Sequence, residues 1–326
     1  MNRREALTTL ASMGMALKTA EGQPGGMIYR TLGKTGEKVS AIGVGGAHAG
    51  QAATPDLSTR IIRTAIDHGI NFMDNCWDYG QGECERRMGV ALGDGYRQKV
   101  FLMTKFDGRT KQSTARQIDE SLQRLQTDHV DLMQLHETAR LDDADVFFAP
   151  GGPLEAVQDA KKAGKIRYIG FTGHKDPFVH LRMLEVAAQH NFHFDACQLP
   201  LNLLDYHFRS FAHQVVPKLV EQGIAVLGMK PLADGTIPAN RIATATECLH
   251  YAMNLPTSVV ITGMDTMERL DQALEAARTF RPLTEQELTR LVTKTKAAAM
   301  TGKYEGFKTG YRYDQTYFHP QWMGLV

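Results

Sequence analysis

Eight short apolar runs, AIGVGG, INFMD, VFLMTK, VDLMQLH, IRYIGF, DACQL, IAVLGM and SVVIT, recur along the chain with helical stretches between them. A run of roughly four to six apolar residues bounded by turn signals reads as a strand buried on both faces, which belongs to a parallel sheet covered by helices. Eight strand–helix units favour closure into a (β/α)8 TIM barrel, in the α/β class, over an open doubly wound sheet. No GxGxxG follows the first run, which argues against a Rossmann-type dinucleotide site. In such a barrel, chemistry sits at the carboxyl ends of the strands.

Polar residues stand where three of these runs stop. Asp74 ends INFMD, Lys105 ends VFLMTK and His136 ends VDLMQLH, while Tyr79 follows in NCWDYG. Singly, each has an ordinary explanation: a turn-forming Asp, a packed aromatic, a solvated strand end, a hydrogen-bonded histidine. Together they form a device. An ammonium beside a phenol favours phenolate and lowers the phenol pKa, a carboxylate keeps the ammonium charged and oriented, and an imidazole orients a carbonyl. Such a phenol can give a proton to a carbonyl oxygen as hydride reaches the carbon.

The wording around these residues resembles the aldo-keto reductase superfamily. NFMDNCWDYG is similar to its FDTAxxYG block, FLMTKF to its strand-three lysine block, VDLMQLH to its strand-four histidine block, and GKIRYIGFTGH to its GKxRxxGxSN block. The resemblance runs on to about Ala277, and four blocks in order are far more specific than one. It implies an oxidoreductase that moves hydride between NADP or NAD and a carbonyl/alcohol pair in an aldehyde, ketone or sugar. Asp74, Tyr79, Lys105 and His136 would be the catalytic tetrad, with Tyr79 as general acid and base.

The same resemblance implies the cofactor contacts. Thr172 and Gly173 stand where the family has a Ser-Asn pair, and Gln198 matches the glutamine that holds the nicotinamide carboxamide. Met229 and Lys230 stand where an aromatic often stacks under the nicotinamide. The glycines of AIGVGG, Gly45 among them, would let backbone approach the nicotinamide end; a plain strand-to-helix turn explains them equally. TGMDTMERLDQALEAA matches the block that clamps the adenosine end, contributing Gly263, Asp265 and Arg269. Many members carry Lys or Arg where Asp265 stands. An acid there repels a 2′-phosphate and can accept from a ribose hydroxyl, so NADP and NAD both stay open.

Global properties exclude other classes. A net charge of +1 gives no footprint for nucleic acid, and no apolar run approaches the length of a membrane span, so no stable membrane anchor is expected. The 4 cysteines show neither CxxC nor a zinc pattern, so a metal site is not expected, and Cys76 reads as a small buried hydrophobe. His48, in the loop after the first run, is given no role. The expected partner is a small-molecule carbonyl or sugar; a homo-oligomer is compatible with this reading.

Residues 1–26 read as an address. Arg3-Arg4, a modestly apolar stretch and small residues near Ala20 resemble a twin-arginine export signal, which would place the protein in the periplasm; the alternative is a disordered or amphipathic extension on a cytoplasmic enzyme. Residues 27–326 form the barrel domain, opened by a β-hairpin turning at Lys34-Thr35-Gly36. Asp142 to Phe148 are candidate pocket or lid residues, or a loop packed on its own aromatics. The end of the chain reads as a helix followed by an aromatic tail whose Tyr311, Tyr313, Phe318 and Trp322 either wall the barrel mouth or pack elsewhere. Two further functions stay open: a cofactor-binding interaction subunit, and a sugar-processing enzyme that recycles tightly bound NAD(P).

Overall fold

In the computed structural model, which describes residues 26–325, the eight apolar runs close into a barrel of parallel strands. The Arg3-Arg4 segment lies outside the described residues. A two-stranded antiparallel hairpin, β1 (Tyr29–Thr31) and β2 (Lys38–Ser40), precedes the barrel. The barrel strands are β3 (Ile42–Gly45), β4 (Phe72–Asp74), β5 (Phe101–Phe106), β6 (Val130–Leu135), β7 (Ile166–Thr172), β8 (Ala196–Pro200), β9 (Ala225–Met229) and β10 (Val259–Gly263), and β10 pairs back onto β3. One longer helix follows each strand: α1 (Pro55–Asp67), α2 (Glu83–Ala91), α3 (Lys111–Leu125), α4 (Pro153–Lys162), α5 (Pro177–Gln189), α6 (Val216–Gln222), α7 (Ala245–Asn254) and α8 (Met267–Thr279). A ninth helix, α9 (Glu285–Ala299), leads into the tail.

Local chemistry sets these boundaries. Thr54 caps α1 ahead of Pro55, and Thr244 with Glu247 and Thr284 with Glu287 make reciprocal capping boxes on α7 and α9. Alternation along the strands then separates two cores. Phe72, Phe101, Met103, Leu132, Leu227 and Val259 fill the barrel interior, while Met73, Leu102, Met133, Cys197 and Val260 face the helices. Leu32 and Val39 of the hairpin join the interior group, so the hairpin plugs the end where the strands begin. Arg30 fastens it by donating to the carbonyls of Met253 and Thr257, both at 2.8 Å. A wide depression at this lower end, bordered by Asn71, Phe101 and Arg167, is crossed by the ion pairs of Asp131 with Arg97 and Arg167 and carries none of the tetrad.

Ahead of α6 lies a separate short helix, Phe211–Gln214, divided from it at Val215 because Pro217 has no N–H to continue the ladder. Of the two readings left open for Asp142 to Phe148, the geometry favours packing: Asp143–Phe148 is a short helix, and Phe147 and Phe148 meet each other and are buried against Phe192 and Phe194 on the outside of the barrel. No helix among the described residues is long and apolar enough to cross a membrane. Because the plug and the tetrad occupy opposite ends, Leu32→Ala is expected to cost about 2–5 kcal/mol of stability in urea unfolding while leaving turnover per folded molecule unchanged.

Candidate active site

The alternation that buries Phe72, Phe101 and Leu132 at the bottom of the barrel sends Asp74, Lys105 and Gln134 up the same inner faces, with His136 one residue beyond β6. The registers Asp74 with Met103 and Lys105 with Gln134 stagger these groups around one end. Tyr79 arrives from the loop after β4. There Gly80, Gln81 and Gly82 have φ of 56, 55 and 85°, a left-handed kink that turns the chain from the tyrosine into α2.

The Lys105 ammonium is at the centre of this group and only 1 % exposed. It donates to Asp74 Oδ1 at 2.6 Å, to the Asn75 carbonyl at 2.6 Å and to the Tyr79 hydroxyl at 3.3 Å. Burial raises the pKa of Asp74, and the Lys105 charge and hydrogen bond oppose that rise. Burial, reinforced by the Asp74, Asp78 and Glu137 carboxyl groups, pushes the Tyr79 phenol well above its ordinary value of 10. This corrects the expectation of a lowered phenol pKa: the contact with Lys105 is present, but desolvation and the surrounding carboxyl groups outweigh it. The phenol is therefore held protonated.

The His136 ring stands edge-on to Tyr79 with centroids 5.9 Å apart. Its Nδ1 lies 2.9 Å from Asp107 Oδ1, 3.3 Å from Cys76 Sγ and 3.7 Å from Asp78 Oδ1, which leaves Nε2 for a substrate. Burial lowers the imidazole pKa and raises the carboxyls of Asp78 to about 6 and of Asp107 to about 7. Arg109 binds the surrounding backbone together, donating to the carbonyls of Asp107, His136 and Glu137 and to Asp143 Oδ1 at 3.0 Å. Asp78, Asp107, Arg109 and Glu137 were missed by sequence reasoning, as was the polar setting of Cys76. A readable signal existed for Asp107, which lies two residues after Lys105 and so returns to the same face.

The residues expected to touch cofactor line the other side of the mouth. Gln198 pairs in register with Thr172, accepts from Gln134 Nε2 at 3.1 Å and donates to Asp74. An amide nitrogen carries two protons, so one remains for a carboxamide oxygen. Lys230 follows Met229 at the end of β9 with φ of 51°, its ammonium 4.5 Å above the Tyr313 ring. The His48 ring lies against Gly263, and Asp234, Asp265, Lys230 and Arg269 all act on it electrostatically, so these charged groups gather near the end of β10. Asp265 engages Arg269 Nη1 with both carboxylate oxygens, at 2.5 and 2.6 Å, at the Thr266-capped start of α8. Amide, ammonium and helix N-terminus suit the carboxamide and phosphates of a dinucleotide. Both expected glycine contacts also have a packing role: a Cβ on Gly45 would lie 2.8 Å from the Thr262 carbonyl oxygen, and one on Gly173 would lie 2.3 Å from that of Thr138, so neighbouring chain requires glycine at both positions.

The aromatic tail crosses the mouth. The Glu137 carboxylate accepts the N–H groups of Gln315 and Thr316 at 2.8 and 2.7 Å, Lys175 pairs with Asp314 at 2.7 Å, and Tyr313 donates to Asp234. Trp322 meets Trp77 edge-on at 5.5 Å, whereas Tyr311 and Phe318 are exposed and wall nothing. Removing the buried Arg109 cation leaves Asp143 to the looser Arg140 contact and two backbone N–H groups, and takes a donor from three carbonyls. Arg109→Met is therefore expected to cost about 3–5 kcal/mol in denaturant unfolding, several times the effect of removing an exposed arginine.

The aldo/keto reductase family profile matches residues 41–247, more than half of the chain. The chain is 31% identical over 224 residues to L-galactose dehydrogenase of Arabidopsis thaliana, covering 64% of this chain and 66% of that protein. It is 30% identical over 159 residues to 6-dehydroglucose reductase of Novosphingobium aromaticivorans, covering 44% of this chain and 50% of that one. Among solved structures, the holo form of aldo-keto reductase AKR11C1 from Bacillus halodurans superposes with a TM-score of 0.68 at 22% identity, over 81% of this chain and 96% of that one, a likeness of fold. With the family's four blocks delivered to one end of a closed eight-stranded barrel, the chain belongs to the aldo/keto reductase family of NAD(P)H-dependent oxidoreductases.

Proposed function

We propose that Tyr79 is the proton donor of a carbonyl reductase, and the acceptor when the reaction runs towards oxidation. The observation that carries this reading is the Lys105 ammonium in contact with both Asp74 and the Tyr79 hydroxyl. A phenol held protonated by its surroundings gives its proton to a carbonyl oxygen, and the adjacent ammonium stabilises the tyrosinate left behind. His136, with Nδ1 engaged, offers Nε2 to the same oxygen and fixes its direction. Bound nicotinamide supplies or takes the hydride. Gln198, Lys230 and the start of α8 would hold the carboxamide and phosphates.

The substrate class proposed is a sugar or similar polyol-derived carbonyl. Two relatives act on sugars by name, which supports this class, and the Lys230 side chain at the end of β9 offers a charged donor to a hydroxyl-bearing substrate. NADH is the favoured dinucleotide because Asp265 both repels a 2′-phosphate and occupies the Arg269 side chain that would receive it. Export of the folded, cofactor-loaded enzyme through the Arg3-Arg4 segment completes the reading.

Tyr79→Phe is expected to lower turnover by about 10²–10⁴-fold while cofactor affinity, followed by fluorescence titration, stays within about twofold. A fully active variant removes the mechanism. Asp265→Asn leaves Arg269 free, and the NADPH-to-NADH ratio of kcat/KM should rise by about tenfold, equivalent to one restored charged contact of about 1.4 kcal/mol.

A further inference from the structure

We propose that Cys76, Asp78, Asp107 and His136 form a four-coordinate site for a divalent transition metal, with zinc the best-fitting cation, held behind the imidazole of the tetrad histidine. One ligand atom from each residue lies within 4.8 Å of all the others. Measured from His136 Nδ1, the separations are 2.9 Å to Asp107 Oδ1, 3.3 Å to Cys76 Sγ and 3.7 Å to Asp78 Oδ1. A tetrahedral zinc with bonds of about 2.0–2.3 Å places its ligand atoms roughly 3.3–3.7 Å apart, so the four converge on an ion through small side-chain rotations.

A second observation points to a ligand. Asp78 Oδ1 and Asp107 Oδ2 are buried with no hydrogen-bond partner, although both carboxylates belong to side chains almost wholly removed from water. Unpartnered buried acceptors are costly and rare in native proteins, and the Asp78 Oδ1 that faces the imidazole at 3.7 Å is satisfied by a cation shared with the thiol and with Asp107. The donor set selects among metals. One sulfur, one imidazole nitrogen and two carboxylate oxygens are too soft and too few for calcium or magnesium, and four protein ligands fill a zinc shell with no open position.

The site joins three neighbouring strand ends. Cys76 and Asp78 follow β4, Asp107 follows β5 and His136 follows β6. Binding releases the thiol proton to solvent and leaves a thiolate, two carboxylates and a divalent cation, a net single negative charge within the field of the Lys105 and Arg109 cations. It also decides the histidine tautomer: a metal on Nδ1 leaves the proton on Nε2, the donor a substrate oxygen requires. This last consequence rests on the proposed role of His136, whereas the metal site does not. Cys76, Asp78, Asp107 and His136 match no sequence pattern of zinc ligands because the strand register, and not the chain spacing, assembles them.

The test uses the full chain, stripped with a chelator and titrated with Zn²⁺ and with Co²⁺ as a spectroscopic substitute. One equivalent should bind, and the cobalt form should show a thiolate-to-cobalt charge-transfer band in the near ultraviolet with tetrahedral visible bands. Cys76→Ser should remove the charge-transfer band, and Asp78→Asn, which keeps the side-chain volume, should weaken zinc binding by at least about tenfold with the band retained. Cys84→Ser, in α2 outside the cluster, should leave spectrum and stoichiometry unchanged, as should Tyr79→Phe, which separates this site from the proposed mechanism. No cobalt binding at excess metal overturns the proposal, and so does a charge-transfer band that survives Cys76→Ser or a zinc affinity indifferent to Asp78→Asn.

Discussion

An ammonium ion removed from water at the end of a barrel needs partners, and Lys105 obtains them from three sources at once. The Asp74 carboxylate balances its charge, the Asn75 carbonyl and the Tyr79 hydroxyl accept its remaining protons, and the Gln198 amide steadies Asp74 in turn. Taking away either member of such a buried pair leaves a charge in a low-dielectric setting, so the register of β4 against β5 is held by electrostatics as well as by the ladder. The interior apolar layer below, the kink after Tyr79 and the Arg109 bracket behind His136 all serve to keep this one cation where its partners can reach it.

Much of this was legible in the chain because strands have a period of two and end abruptly. A polar residue closing an apolar run can only emerge at the rim, so Asp74, Lys105 and His136 declared their place, and eight repetitions declared the closed barrel. Depth of burial was not legible. The chemistry of a lysine beside a tyrosine reads as a lowered phenol pKa until Cys76, Asp78 and Glu137 are found around the same ring and water is found excluded. The surroundings of His136 were hidden for a related reason: Asp78 and Asp107 lie on different strand ends, and only the register brings them to one nitrogen.

What stayed open in the chain has a common cause. Phe147 and Phe148 could be read as pocket or as packing because their partners, Phe192 and Phe194, are on a separate connection that nothing local announces. Gly45 and Gly173 gave no sign of the carbonyls of Thr262 and Thr138 that lie where a Cβ on either would stand. His48 gave no signal at all, since its importance lies in the four charged residues that other loops bring to it. Contacts within one element can be inferred from spacing; contacts among loops of different strands depend on how the barrel closes.

The hairpin that seals the lower end of the barrel has a consequence for traffic. With Leu32 and Val39 packed among Phe72, Phe101 and Val259, nothing passes along the axis, and the tail roofs part of the opposite rim. Among the described residues the tetrad can therefore be approached only from the rim above the strand ends, so which end of the barrel is stoppered decides the side from which a reactant must come.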